Sequence, residues 1–353
     1  MCLNTFRQIQ LYTRSGKMLV DLNNANNYLQ VINFKEYKLD EFKSNDQMNR
    51  FYPCNGLTTA IDRPDGTSAS LNYVEPRYLQ VSAQEAGGSE SIITQQVQFK
   101  LKDIMNTFFA INKDVVFPEV LMLRLVWEAG NRISWYANSA TDPNTGATAS
   151  TGNHTASNVC LFLAVEQNQE IANSLQAKIA SSGLNIPIDY VHSYKTNLSS
   201  TSQTVSLKFN AGHGQTLKKV IHAAFANTET TWYAYDHVNT SQSKISSFYS
   251  MLDNERLQEI NLTCSTYDDY LFLKKQLAGT PIMNANIYNA NWFWCDDWSD
   301  RIDNKNVVAG LPISGTEHKW DIYMTTANAN HNHYTFAVCQ KILSIGPNLI
   351  EVK

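Results

Sequence analysis

A short pattern that occurs twice, about 240 residues apart, constrains the fold of this chain most. Residues 12–23 are echoed by residues 249–261, and a Tyr-Leu pair follows each copy. Each copy has an aromatic strand end, then a turn at Gly16 or at Asp253-Asn254, then a short strand or helical turn that enters a polar segment. A duplication of this kind predicts two similar domains in tandem.

The length of 353 residues agrees with two domains, because it exceeds what one hydrophobic core usually serves. Residues 170–182 place apolar side chains at every fourth position and end at Gly183, which predicts a short amphipathic helix with a glycine stop. The helix lies where a connector is expected. We therefore predict a first domain over 1–180 and a second over 181–353.

Alternating apolar and polar residues recur along the chain and predict strands with one wet face. The segments with this pattern are 121–127, 204–210, 318–324 and 334–339. Residues 158–165 are apolar on both faces, which predicts a strand buried between two layers. Short helices are expected over 101–109 and 266–277, and no strand–helix–strand rhythm is present. The prediction is an all-β fold with a few short helices in connectors.

The composition limits the classes of function. Charged residues make up 17% of the chain and its net charge is −4, so there is no general attraction to nucleic acid or to anionic membranes. Asparagine alone fills 36 positions, which is typical of short strands joined by neutral polar loops. The six cysteines form no C-x-x-C pair, and we expect reduced, mostly buried thiols.

Two histidines, His331 and His333, could face the same side of a strand and hold a metal ion, with His318 as a third ligand. They follow residues 325–330, which have the composition of a turn between strands. A solvated loop is the favoured interpretation, so no metal site and no cofactor is predicted.

A second candidate site combines acidic and aromatic residues. Two carboxylates beside aromatic platforms are the minimum for a glycosidase. Because neighbouring residues on a strand point to opposite faces, Asp296 and Asp297 are badly placed to share a substrate. We favour buried tryptophans and an acidic cluster that opens a loop, with a glycan-binding surface as the open alternative, and we predict no catalytic residue. The residues concerned are Trp292, Trp294, Asp296, Asp297, Trp298 and Asp300.

At the level of pattern, the chain resembles the double jelly-roll major capsid proteins of tailless icosahedral DNA viruses. The similarity covers most of the chain and includes the duplicated sandwich, an apolar-Leu-x-Asp turn followed by aromatics, a proline connector and the closing strands. The segments that carry it are 97–109, 116–118, 121–127, 311–313, 318–324 and 334–348.

The resemblance implies two jelly-roll β-sandwiches side by side and a structural protein that is not an enzyme. It implies a homotrimer that forms a pseudo-hexagonal capsomer. The implied partners are neighbouring capsomers, penton proteins and minor capsid proteins, and sequence-specific binding of nucleic acid is not expected. It also implies that the protein is made in the host cell cytoplasm and is located in the capsid of the virion. The resemblance is compatible with an internal membrane beneath the shell. A carbohydrate- or receptor-binding β-sandwich is the alternative. Candidate aromatic anchors at the trimer interface are Trp127, Trp135, Trp232 and Trp298.

The two copies of the repeat differ in what precedes them. About 70 residues lie between the predicted connector and Leu257, whereas only 18 precede Leu19. The first jelly roll therefore lacks its opening strands, or they lie in upstream sequence, or another chain supplies them. We expect upstream sequence or an alternative start.

Overall fold

The computed structural model describes part of the N-terminal half of the chain and most of the C-terminal half. The described residues are 6–36, 61–62, 68–69, 100–111, 115–128, 135–136, 148–149, 159–163, 165, 167–226, 245–264, 268–274, 292–299, 310–326, 331–347 and 349–353. Residues 83–91 and 139–157, whose composition predicts long surface loops, lie outside these ranges, except for 148–149. Within the described residues, no helix is both long and apolar enough to cross a membrane.

Strands dominate the described structure, with three α-helices and two short 3-10 turns between them. The strands are β1 Phe6–Thr13, β2 Met18–Asn23, β3 Ile61–Asp62, β4 Ser68–Ala69, β5 Leu121–Trp127, β6 Trp135–Tyr136, β7 Thr148–Ala149, β8 Leu184–Leu198, β9 Ser202–Phe209, β10 Thr216–Ala226, β11 Ile245–Leu252, β12 Glu255–Arg256, β13 Leu262–Thr263, β14 Phe293–Asp297, β15 Leu311–Pro312, β16 His318–Thr326, β17 His331–Ile345 and β18 Ile350–Val352. The helices are α1 Ala25–Glu36, α2 Gln169–Ser182 and α3 Asp268–Lys274, and the 3-10 turns are Leu101–Asp103 and Phe108–Ala110.

The C-terminal half, which follows α2, is a sandwich of two antiparallel sheets. One sheet has the order β8-β17-β10-β14, with β15 and β18 at its edges, and the other has the order β9-β16-β11-β12, with β13 beside β11. Successive long strands alternate between the two sheets along the chain, which is the winding of a jelly roll. Aromatic contacts such as Phe248 with Trp292, at 5.3 Å between ring centroids, hold the inner faces together.

Strand alternation is confirmed where one face of a strand meets solvent. In β9, Val205 and Phe209 are buried while the residues beside them are at least partly exposed. In β16, Trp320, Ile322 and Met324 point inward as predicted. The prediction of one wet face is wrong for 334–339, because β17 is central in its sheet and is covered on both faces.

The N-terminal half, before α2, contains the sheet β2-β1-β5 among its described residues. β5 alternates between half-buried and exposed residues over 121–125, as the sequence predicted, but the alternation breaks at Val126 and leaves Trp127 exposed. At its end Trp127 packs against Phe6 of β1, with ring centroids 4.7 Å apart. The buried core here comes mainly from the side chains of β1, β2 and α1, with Ile9, Leu19 and Leu29 fully buried.

The repeat in the sequence is a repeat in the structure. Each copy is a hairpin followed by an α-helix: β1, β2 and α1 in the first half, and β11, β12 and α3 in the second. Gly16 has a φ of +86°, and Asp253 and Asn254 have φ values of 51° and 70°. These left-handed conformations are what two-residue and glycine turns of hairpins require, so both predicted turns are confirmed.

The predicted connector helix is also confirmed as α2. Its N-terminus is capped by Asn168, whose side chain accepts a hydrogen bond from the backbone N–H of Glu170 at 2.9 Å. Its C-terminus ends at Gly183, which has a φ of +71° and donates to the carbonyl of Ile179. The boundary predicted between residues 180 and 181 stays a prediction, although α2 ends close to it.

The prediction for residues 158–165 is wrong. Among its described residues, 159–163 and 165, no strand forms, and the apolar side chains are exposed, with Phe162 at 91% and Val165 at 76%. An apolar run becomes a buried strand only when neighbouring strands satisfy its backbone groups and cover its faces. In the described part of the N-terminal half, no strand pairs with this segment.

Candidate functional site

The two halves of the chain meet at a surface that we call the junction, formed by β2 and α1 on one side and by β8, β14 and β17 on the other. β2 lies against β8. Asn24, just before α1, donates a hydrogen bond from its side-chain amide to the hydroxyl of Ser193 in β8, at 3.1 Å. Tyr28 of α1 meets Phe336 of β17 edge to face, with ring centroids 5.2 Å apart. An aromatic pair of this geometry contributes about 0.5–1.5 kcal/mol beyond its buried area.

The same face of α1 carries a buried cation. Lys35 lies two helical turns after Tyr28, so both side chains point toward the C-terminal half. Its ammonium is 3.4 Å from a carboxylate oxygen of Asp297 in β14, and both side chains are buried. Burial alone would raise the pKa of Asp297, but the hydrogen bond from Ser299 and the charges of Lys35 and Lys219 hold this pKa below its ordinary value. The junction therefore contains a buried, hydrogen-bonded ion pair.

The neighbouring residue, Asp296, lies on the opposite face of β14, inside the sandwich. One of its carboxylate oxygens accepts hydrogen bonds from the indole N–H of Trp294 and the hydroxyl of Ser250, each at 3.0 Å. The other oxygen accepts from the indole N–H of Trp320 at 2.8 Å, across the gap between the sheets. Gln258 donates a longer bond of 3.3 Å. Burial raises the pKa of Asp296, although all four bonds favour its charged form.

A buried imidazole pair lies in the same core. The Nε2 atom of His222 in β10 is 2.8 Å from the Nδ1 atom of His333 in β17, and its Nδ1 atom is 2.9 Å from the hydroxyl of Thr335. Both rings are fully buried, and His222 meets Trp292 edge to face at 5.9 Å. Burial lowers the pKa of His222 to about 3. His222 is therefore neutral at physiological pH, and one of the two rings donates a hydrogen bond to the other.

These positions correct the predicted histidine site. His333 is fully buried in β17, so the solvated-loop interpretation is wrong for it, and His331 begins the same strand. His318 lies elsewhere and contacts a carboxylate oxygen of Asp253 at 2.6 Å. Within the part of the chain that the structure describes, no three residues of metal-ligating type come together. The partner of His333 is His222, which no local sequence signal identified.

The acidic and aromatic cluster is divided in the way that strand alternation predicted. Asp296 and Asp297 point to opposite faces of β14, and Trp292 and Trp294 are buried at 1% and 3% exposure. The acidic cluster does not open a loop, because both aspartates lie within the strand. Trp298 is also buried, so these three tryptophans do not form a glycan platform. Asp300 lies outside the described residues.

The predicted interface tryptophans are placed differently from one another. Trp127 is 39% exposed at the end of β5, whereas Trp298 is buried beside β10. Trp298 is therefore wrong as a surface anchor. Trp232 lies outside the described residues, and of Trp135 the structure describes only the backbone in β6.

Besides Val120, Met122 and Trp127 at β5 and Ile171, Ile260 and Leu349 elsewhere, the described chain exposes two further groups of large apolar side chains. The first, which we call the segment surface, consists of residues 159–163 and 165 in the N-terminal half. Its exposed apolar side chains are Val159, Leu161, Phe162, Leu163 and Val165. The second is the outer face of α3, where Leu271 is 59% and Phe272 45% exposed. Contiguous apolar surface on a folded protein commonly marks a contact with another molecule.

Comparison with solved structures identifies the fold of this chain. No protein-family model matches the chain, and no curated protein matches it. A chain of the Sputnik virophage is similar with a TM-score of 0.54 and 10% identity, over 100% of this chain and 74% of that one. The Faustovirus major capsid protein is similar with a TM-score of 0.51 and 9% identity, over 98% and 72%. The fold of this chain is therefore the all-β double jelly roll that its sequence predicted.

Proposed function

We propose that this chain is the structural major capsid protein of a tailless icosahedral virus. It forms a homotrimeric, pseudo-hexagonal capsomer, and capsomers assemble the shell of the virion. The observation that carries the proposal is the likeness in fold to the Sputnik and Faustovirus chains, which extends over almost the whole chain. Two jelly rolls in one chain give three chains six similar units, which is what a six-cornered capsomer needs.

The described side chains favour assembly over catalysis. The carboxylates that could have formed a catalytic pair serve the core and the junction separately, through Asp296 and Asp297. The exposed apolar surfaces at Phe162 and Leu271 are suited to contacts with other subunits. In this proposal the chain acts without a cofactor and does not read a nucleic acid sequence. Its partners are other copies of itself, penton and minor capsid proteins, and it is made in the host cytoplasm.

The purified chain tests this proposal. We expect light scattering to give three chain masses at micromolar concentration, and electron microscopy of the concentrated protein to display six-cornered particles or larger shells. A single chain mass at every concentration up to the millimolar range would contradict the proposal. Binding to a glycan array with no self-association would favour a carbohydrate-binding protein instead.

A further inference from the structure

The turn between β9 and β10, residues 210–215, crosses from one sheet of the C-terminal sandwich to the other, and we call it the strap. Gln215 of the strap donates its backbone N–H to the carbonyl of Gln340 in β17 at 2.8 Å. Gly214 has a φ of +142°, and a Cβ atom there would lie 2.5 Å from the same carbonyl. The strap therefore lies directly on β17, at a distance that requires glycine.

Two histidines fasten the strap to the sheets. The Nε2 atom of His192 in β8 lies 3.1 Å from the carbonyl oxygen of His213 in the strap. The Nε2 atom of His213 lies 3.1 Å from the hydroxyl of Tyr194 in β8. The two imidazole rings meet edge to face with centroids 5.0 Å apart, and His213 meets Phe209 of β9 at 5.5 Å. The imidazole pair thus joins the strap to one strand of each sheet.

The contacts of His213 fit a neutral ring. Its Nδ1 atom accepts the backbone N–H of Asn210 at 3.3 Å, so the ring carries its proton on Nε2 and donates it to Tyr194. The side-chain oxygen of Asn210 is also 3.3 Å from Nδ1, but it already accepts the N–H of Gly212 at 2.9 Å. A second proton on His213 would therefore face the N–H of Asn210.

A positive charge lies beside the two rings. Lys341 of β17 holds its ammonium 4.2 Å from the ring centroid of Tyr190. Burial, followed by the charge of Lys341, lowers the pKa of His192 to about 4. Burial and the same charge also lower the pKa of His213, against a backbone contact with Asn210 that raises it. The closed strap therefore disfavours protonation of both rings.

Other titratable groups near the strap are neutral or paired. Burial raises the pKa values of Tyr190, Tyr194 and Cys339 to about 12, so these groups are uncharged at physiological pH. Charged groups on the neighbouring strands are in pairs: Lys218 with Asp189, Lys208 with Glu317, Lys319 with Asp321, and His318 with Asp253. Acid therefore adds positive charge beside Lys341.

We propose that the strap is a pH-dependent closure of the sandwich, which holds the two sheets together while His192 and His213 are neutral and opens when they take up protons. Two imidazolium rings 5.0 Å apart repel one another and Lys341. Opening uncovers Phe209, which is fully buried in the closed form, and releases the strap from β17. This closure does not depend on the proposed function.

The direction of the response follows from the two states of the strap. In the open strap an imidazole in solvent titrates near pH 6.5, whereas in the closed strap the pKa of His192 is about 4. Closure is therefore fully favoured above pH 6.5 and weakens as the pH falls from 6.5 toward 4. Between pH 7.5 and 5.5, His192 alone should raise the equilibrium constant for opening about tenfold, and His213 adds to this rise.

Hydrogen exchange at the backbone N–H of Gln215 measures the opening, after correction for the intrinsic pH dependence of exchange. In the unmodified chain we expect the opening constant to rise at least about tenfold between pH 7.5 and 5.5. Low concentrations of urea, which increase exchange through global unfolding, should leave exchange at Gln215 unchanged. Exchange at Gln215 that rises with urea, or an opening constant that does not change with pH, would overturn the proposal.

Glutamine variants identify the groups that titrate. The single variant His192→Gln should lose the tenfold part of the rise and keep the part due to His213. The double variant His192→Gln with His213→Gln should change its opening constant less than about twofold over the same pH range. His222→Gln, the same substitution in the core, is the matched control and should respond as the unmodified chain does. If His192→Gln keeps the whole rise, or if His222→Gln abolishes it, the strap does not respond through its own histidines and the inference is wrong.

Discussion

Two adjacent carboxylates on β14 show how differently the sandwich core and the junction are built. Asp296 points into the core, where neutral donors from two tryptophans, a serine and a glutamine surround it. Asp297 points to the junction, where the ammonium of Lys35 lies 3.4 Å away. Both are buried, yet one carboxylate is held by dipoles and the other by a charge.

The difference gives the two regions opposite responses to pH. The pKa of Asp296 is raised, so its charged form costs stability as the pH rises above the ordinary value of 3.8. The pKa of Asp297 is lowered, so its contribution is present above pH 3.8 and is lost as the pH falls below that value. The core tolerates a carboxylate because hydrogen bonds satisfy it, and the junction uses one to join two halves of the chain.

The largest expected effect comes from removing the core carboxylate. Asp296→Ala leaves the indole N–H groups of Trp294 and Trp320 buried without an acceptor, and it opens a cavity. We expect the free energy of unfolding to fall by about 3–5 kcal/mol, as for other broken buried networks. Urea unfolding followed by tryptophan fluorescence measures it. Asp189→Ala is the control, since it breaks a partly exposed pair with Lys218 and should cost less than about 1 kcal/mol; equal losses would contradict the comparison.

Acid should weaken the core before it weakens the junction. His222 stays neutral in the folded chain because burial lowers its pKa to about 3, whereas the unfolded chain takes up a proton near pH 6.5. Stability therefore falls as the pH drops below 6.5, by up to roughly 1.4 kcal/mol per pH unit. Between pH 6.5 and 4.5 we expect His222 to account for a loss of about 2–3 kcal/mol in the free energy of unfolding, measured by urea unfolding, while Asp297 keeps its charge.

The variant His222→Gln separates this contribution from others. It removes the core imidazole, so the dependence of stability on pH should flatten between 6.5 and 4.5. A remainder is expected from His192 of β8, because burial, followed by the charge of Lys341, lowers its pKa to about 4. Lys35→Met should leave the slope unchanged. An unchanged slope in His222→Gln would show that the core imidazole does not set the response.

Removing the junction cation should have a smaller effect. Removal of one partner of a buried ion pair costs about 3–5 kcal/mol when the other charge is left uncompensated. Lys35→Met leaves Asp297 beside the charge of Lys219, so we expect a smaller loss of about 2 kcal/mol in the free energy of unfolding. The double variant Lys35→Met with Asp297→Asn removes both charges and should regain about half of that loss. If the single and double variants are equally stable, the ion pair is not coupled across the junction.

Local sequence patterns correctly predicted the turns and the helix whose conformation depends on residues close together in the sequence. The hairpin turns follow from Gly16 and Asp253-Asn254, and α2 follows from its apolar spacing and Gly183. The opposite orientations of Asp296 and Asp297 follow from strand alternation alone.

Predictions failed where distant residues decide the outcome. The partner of His333 is His222, 111 positions away, so its turn-like surroundings pointed to a solvated loop. Lys35 contacts Asp297 across the junction, and Trp320 donates to Asp296 across the sandwich. No local sequence pattern predicts either contact. Residues 159–163 and 165 have the composition of a buried strand but lack paired neighbours among the described residues.

The smallest expected effect lies on the outer face of the same sandwich. Lys208 of β9 lies 2.8 Å from Glu317, which is closer than the pair at the junction, but the two side chains are 65% and 54% exposed. Water screens such a pair and ordering two long side chains costs entropy, so Lys208→Met should change the free energy of unfolding by at most about 0.5 kcal/mol. Comparison of the stability losses of Lys208→Met and Lys35→Met under identical conditions separates the effect of burial from that of the distance between the charges. Should the two variants lose equal stability, burial would not be what distinguishes the junction.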